Sequence, residues 1–137
     1  MKYRKLSRYK YETVGDTEFQ CLVRPEHDII TSYGLLRKDG SGVVFDHYAW
    51  DGASGPTWDD KTNMTPSLVH DFLYQLMREG YLPQSAREPT DQTLHNMCVA
   101  RGMWKERAKC WLKGVRLFAW FASKRTTKPQ DKIYEVD

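Results

Sequence analysis

Polar and apolar positions follow two different rhythms in the two halves of the chain. Tyr3, Lys5, Ser7, Tyr9 and Tyr11 alternate with Leu6, Arg8 and Lys10, the period of a strand. After the turn signal Gly15-Asp16, the segment 17–23 puts Phe19, Cys21 and Val23 on one side. Segments 29–36 and 43–48 read as strands and flank Lys38-Asp39-Gly40-Ser41-Gly42, whose glycines suit a hairpin turn. One small antiparallel sheet over about residues 1–48 is the expectation. A loop follows at 49–64.

From residue 65 the period lengthens. Leu68, Val69, Phe72, Leu73, Leu76 and Met77 recur at helical spacing. Thr65-Pro66 predicts the N-cap and first position of this helix, and Gly80 its end. A second helix is predicted from near Pro89, with Glu88, Thr90 and Asp91 at its positive end, to Gly102. A third is predicted over about 103–124, with Trp104, Ala108, Trp111, Leu112, Val115, Phe118 and Ala122 on one face. The tail 125–137 is polar and reads as extended. The fold class expected is α+β, a single domain with a sheet followed by a layer of three helices.

At 137 residues with 40% hydrophobic and 28% charged positions, the chain is long enough and apolar enough for one packed core. The three cysteines, Cys21, Cys98 and Cys110, make neither a disulfide framework nor a zinc knuckle, and are expected as reduced, mostly buried thiols. The basic N-terminus lacks the apolar core of a secretory signal, and no stretch approaches a bilayer span. Synthesis and folding in the cytoplasm is the expected setting. The net charge of +3 hides an asymmetry: between Arg101 and Lys128 nine cations face the single anion Glu106.

The candidate chemistry lies where the two rhythms meet. Trp50-Asp51-Gly52-Ala53-Ser54-Gly55-Pro56 is a loop by composition, and its Asp or Ser oxygen suits a helix cap. In His70-Asp71-x-Leu73-Tyr74, helical geometry puts His70 and Tyr74 on one face and turns Asp71 about 100° away. Asp91 and His95 share a face of the next helix, and a short connection brings Asp91 opposite His70 if the helices pack antiparallel. A His facing a carboxylate is the arrangement of a general base held in one tautomer.

The ordered set Asp51-Gly52-Ala53-Ser54-x-Pro56, His70-Asp71-x-Leu73-Tyr74, Arg87-x-x-x-Asp91 and Val115-Arg116-Leu117-Phe118 resembles a family of small phage and prophage proteins, domain of unknown function 1353. The resemblance covers about residues 43–120 and implies a phage origin rather than a particular activity. Gly55 and Thr57 depart from its pattern, which favours an aliphatic and a basic residue there. The local run His-Asp-x-x-Tyr is also similar to the catalytic helix of secreted phospholipases A2. That similarity implies water activation by His70, calcium held by Asp71 and orientation of His70 by Asp91. The flanking disulfide cysteines and glycine-rich calcium loop of that family are not present here. A metal phosphohydrolase order, His47, His70-Asp71 and Asp91, is a weaker template because His47 reads as a strand residue. Zincin, serine-hydrolase, P-loop and dinucleotide fingerprints do not occur.

The reading predicts a hydrolase of esters or phosphoesters at the host envelope. His70, Asp91 and Tyr74 are the catalytic candidates, Asp71 and Asp51 the metal candidates, and Arg87, Ser54 and His95 the supports. Such an oxygen-rich set suits Ca²⁺, Mg²⁺ or Mn²⁺. Expected partners are envelope phospholipid or other phage structural proteins, without sequence-specific nucleic-acid recognition. The alternative is a non-enzymatic virion or assembly protein in which the same network only fixes the fold, with Arg87 paired to Asp71 or Asp91. For the basic third helix the readings are a solvated outer face, a phosphate-binding surface, or a seat on an anionic membrane with Trp at the headgroup level.

Overall fold

The computed structural model describes residues 1–6, 11–52 and 60–122, with the side chains of 115 and 117–122 excepted. It is an α+β fold, with strands in the N-terminal part and three helices after them. The strands are β1 (Tyr3–Lys5), β2 (Tyr11–Thr13), β3 (Thr17–Gln20), β4 (Ile29–Ile30), β5 (Gly34–Leu36), β6 (Ser41–Val44) and β7 (Ala49–Trp50). The helices are α1 (Met64–Arg78), α2 (Arg87–Ala100) and α3 (Lys105–Ala122). Ser7–Lys10, the loop 53–59 with Ser54, and the tail lie outside the described residues.

The strands form two antiparallel sheets rather than the single sheet expected. One has the order β1-β2-β7, pairing Tyr3 with Thr13 and Tyr11 with Trp50. The other has the order β3-β6-β5-β4. Segment 29–36 is not one strand, because the Thr31 hydroxyl accepts the Gly34 amide and donates to its carbonyl, folding the chain into a tight hairpin. Of the segment expected as a strand over 43–48 only Val43 and Val44 are strand, at the end of β6, and His47 sits with φ +67° in the turn that leads to β7. Residues 49–50, expected in a loop, are therefore sheet. The expected hairpin turn before β6 does form, with Gly40 at φ +86°.

Glycine has a packing role within the second sheet. A Cβ at Gly34 would lie 2.5 Å from the Phe72 ring, and one at Gly42 would collide with Phe19. The bare backbone lets Phe72 of α1 settle onto the sheet, where Phe19, Tyr33 and Tyr48 meet it edge-on at centroid distances of 5.8, 5.8 and 6.3 Å. Leu36, Val44, Leu68, Leu73 and Leu76 complete this core with no exposed surface.

Helix ends are set by their local chemistry. Helix α1 starts at Met64, before the expected Thr65 cap; Asn63 holds the cap position and its carbonyl accepts the Ser67 amide. Pro66 fits in the first turn because its missing N–H would have had no partner there. At the other end the Tyr81 amide bonds Leu76 and the Gly80 amide bonds Met77, a Schellman closure with Gly80 at φ +86°. Helix α2 starts at Arg87, slightly before the expected Pro89, and repeats this closure at Gly102 and Met103. In α3 the expected inward face holds for Ala108 and Trp111, both buried, but Trp104 precedes the helix and is 79% exposed. Its carbonyl caps the Ala108 amide, which fixes the backbone while leaving the ring outside. Cys21 and Cys98 are buried and Cys110 is exposed, all three as free thiols.

Candidate functional site

Helix α1 carries His70 and Tyr74 one turn apart, with their rings stacked at 4.2 Å and 29°. Opposite them α2 presents Asp91, which is 1% exposed. The Tyr74 hydroxyl donates to Asp91 Oδ1 at 2.6 Å, and His70 Nε2 lies 2.8 Å from the same oxygen. A carboxylate can only accept, so Nε2 carries hydrogen and the second ring nitrogen, Nδ1, holds the lone pair when His70 is neutral. Nδ1 faces Asp71 Oδ1 at 3.9 Å, beyond hydrogen-bond length. Asp71 is 33% exposed, so this side of the cluster is where it meets solvent, while the His70 side chain itself is 6% exposed.

The remaining Asp91 oxygen, Oδ2, lies 3.9 Å from Arg116 Nε on α3. All three helices thus converge on one buried carboxylate. The partner of Arg116 is visible only once α2 and α3 are packed. Among the described residues it is Arg116, not Arg87, that pairs with Asp91, and Arg87 acts on the Tyr74 hydroxyl as a nearby positive charge.

The titration of the cluster follows from this geometry. Burial disfavours the His70 imidazolium, but the carboxylates of Asp71 and Asp91 outweigh it and hold His70 above its ordinary value. Burial and the bond to Asp91 push the Tyr74 hydroxyl far up, so it remains a donor.

Two anchors bring the ends of the 53–59 loop to the first turns of α1. The Trp50 indole donates to Ser67 Oγ at 3.1 Å, and Asn63 Oδ1 accepts the Asp60 amide at 3.0 Å. Asp60 is tied to α3 through Arg107 at 2.7 Å. Neither anchor has a motif signal, because each joins residues unremarkable in sequence. Asp51 is exposed at the edge of this region. His95 is not part of the cluster; it lines a cleft between α2 and α3. His47 bonds Glu12 at 2.7 Å and faces Asp46 at 3.3 Å, so the order His47, His70-Asp71, Asp91 does not assemble as one constellation.

Among the described residues no group of three or more His, Cys, Asp or Glu is placed to hold a metal ion. Asp71 and Asp51 do not complete such a set. A groove of about 840 Å³ lies elsewhere, lined by Arg24, Glu26, His27, Tyr81, Leu82 and Pro83 among others. No protein-family model, curated protein or solved structure matches the chain.

Proposed function

We propose that the chain is a small phage-encoded hydrolase that cleaves ester or phosphoester bonds at the host envelope, with His70 as its general base. The observation that carries this reading is the direction of the His70 ring. Its Nε2 is committed to Asp91, together with Tyr74, while Nδ1 points at the partly exposed Asp71 without bonding it. A base needs one nitrogen locked and the other open.

In the proposed step, Nδ1 takes a proton from a water whose oxygen attacks the carbonyl carbon or phosphorus. The imidazolium so formed is stabilised by Asp91 and Asp71, and it returns the proton to the departing alkoxide as the ester bond breaks. Asp91 and Tyr74 orient the ring, and Arg116 offsets the buried negative charge. His70 must be neutral to accept the proton, so the rate should rise with pH through its raised pKa. The run His70-Asp71-x-x-Tyr74, similar to the phospholipase A2 catalytic helix, supports the roles given to His70 and Asp91.

The test is hydrolysis of chromogenic acyl esters and of phospholipid vesicles by the purified protein. His70→Gln should lower turnover by roughly 10²–10⁴-fold, the usual worth of a positioned base. Undiminished turnover by a folded His70→Gln protein would overturn the assignment.

A second reading rests on the burial of His70, Tyr74 and Asp91 together. A network this enclosed also suits a virion or assembly protein whose polar core specifies how its helices pack. Stoichiometric presence in purified particles, with normal plaques from Asp91→Asn, would favour that reading over the enzyme.

A further inference from the structure

Besides Arg116, which reaches Asp91, α3 carries three lysines that play no part in the cluster around His70. Lys105, Lys109 and Lys113 are exposed and recur at every fourth position, within an arc of about 80° at 3.6 residues per turn. Among the described residues none of the three has an acidic partner. Glu106, the single anion of α3, is also exposed.

Left to itself this arrangement is unfavourable. Like charges at a four-residue spacing repel one another, and Lys105 stands at the positive end of the helix dipole. Trp104, next to Lys105, adds a large apolar ring with 79% of its surface in water. Beside them a cleft of about 450 Å³ opens between α2 and α3, lined by Val99 and Ala100 together with His95, Asn96, Lys105 and Lys109. Unpaired ammonium groups, an exposed indole and an aliphatic cleft thus occur on one part of the surface.

We propose that this face seats the protein on an anionic lipid surface, with the three lysines against headgroup phosphates and Trp104 at the level of the headgroups. Charge complementarity selects the phosphates. The indole and the aliphatic cleft select a lipid interface over a purely aqueous polyanion, because an amphipathic ring is best placed between water and acyl chains. No helix among the described residues is long and apolar enough to cross a membrane, so the contact is peripheral.

Sedimentation of the full chain with phosphatidylcholine vesicles, with and without phosphatidylglycerol, tests the proposal. Binding should require phosphatidylglycerol and weaken as salt is raised. Each lysine should be worth roughly fivefold in partitioning, the equivalent of about 1 kcal/mol. The double variant Lys105→Glu/Lys109→Glu should therefore bind at least about 25-fold more weakly. Trp104→Ala should also lose binding. All these side chains are exposed, so melting curves should confirm that the variants remain folded. His70→Gln should bind like the parent, which separates this inference from the hydrolase reading. Equal binding to neutral vesicles, unchanged binding by the double variant, or displacement by a single-stranded oligonucleotide at matched phosphate concentration would overturn it; the last would assign the lysines to nucleic acid.

Discussion

Two histidines in this protein each face two carboxylates, and their surroundings make them different devices. His70 lies between Asp91 and Asp71 at 2.8 and 3.9 Å with 6% of its side chain exposed. His47 lies between Glu12 and Asp46 at 2.7 and 3.3 Å with 66% exposed. The carboxylates raise the proton affinity of both rings. Around His47 water screens the charges, and the trio amounts to surface decoration of a turn. Around His70 the ring and Asp91 are removed from solvent, so the bond between them is obligatory. What separates the two sites is the cost of leaving a group unpaired.

The comparison breaks most sharply at Asp91. Asp91→Ala strips the acceptor from Nε2 and from the Tyr74 hydroxyl and leaves buried donors without a partner. Urea unfolding should show a loss of about 3–5 kcal/mol, the range for breaking one side of a buried pair. A loss indistinguishable from that of an exposed site would mean that the cluster is wetter than its burial suggests.

A pH titration sharpens it further. The His70 pKa is raised in the folded protein, so its contribution to stability is complete below the unfolded value of 6.5 and is lost as pH rises through the folded value. Between these values stability should fall while hydrolysis, which needs neutral His70, should rise. Thermal melts and rates measured over the same pH series check this crossing. In His70→Gln the pH slope of stability should flatten.

The smallest effect belongs to the exposed trio. Glu12→Gln should change the melting temperature little at low salt and not measurably at high salt, because the ion pair it removes is already screened. A salt-independent drop would show that the turn at His47, with its positive φ, depends on this contact.

The α1–α2 cluster was legible because its signals are local. Four-residue spacing puts His70 and Tyr74 on one face, a short connection returns the chain, and Asp91 falls opposite. Gly80 and Gly102 announce their closures for the same reason. The sheets were less legible, since strands as short as β4 and β7 carry almost no periodicity and their pairing is decided by distant residues. Segment 29–36 looks continuous until the Thr31–Gly34 hydrogen bonds are seen to fold it. Trp104 misled because hydrophobicity at helical spacing implies an inward face, whereas the helix begins just after it. Arg116 needed the packing of all three helices before its partner could be named.

The pairing of β2 with β7 has a kinetic consequence. The β4–β5 and β5–β6 hairpins of the second sheet are built from contacts near in sequence, and so are the helical turns. Tyr11 and Trp50, by contrast, must find one another across most of the N-terminal half of the chain. Closing so long a loop costs more entropy than closing a hairpin and slows folding. Trp50 is also the residue whose indole is bonded to Ser67 on α1. Closing the β2–β7 pair therefore also brings Trp50, just before the 53–59 loop, to the helix bearing His70, so slow formation of that pair should delay assembly of a complete site.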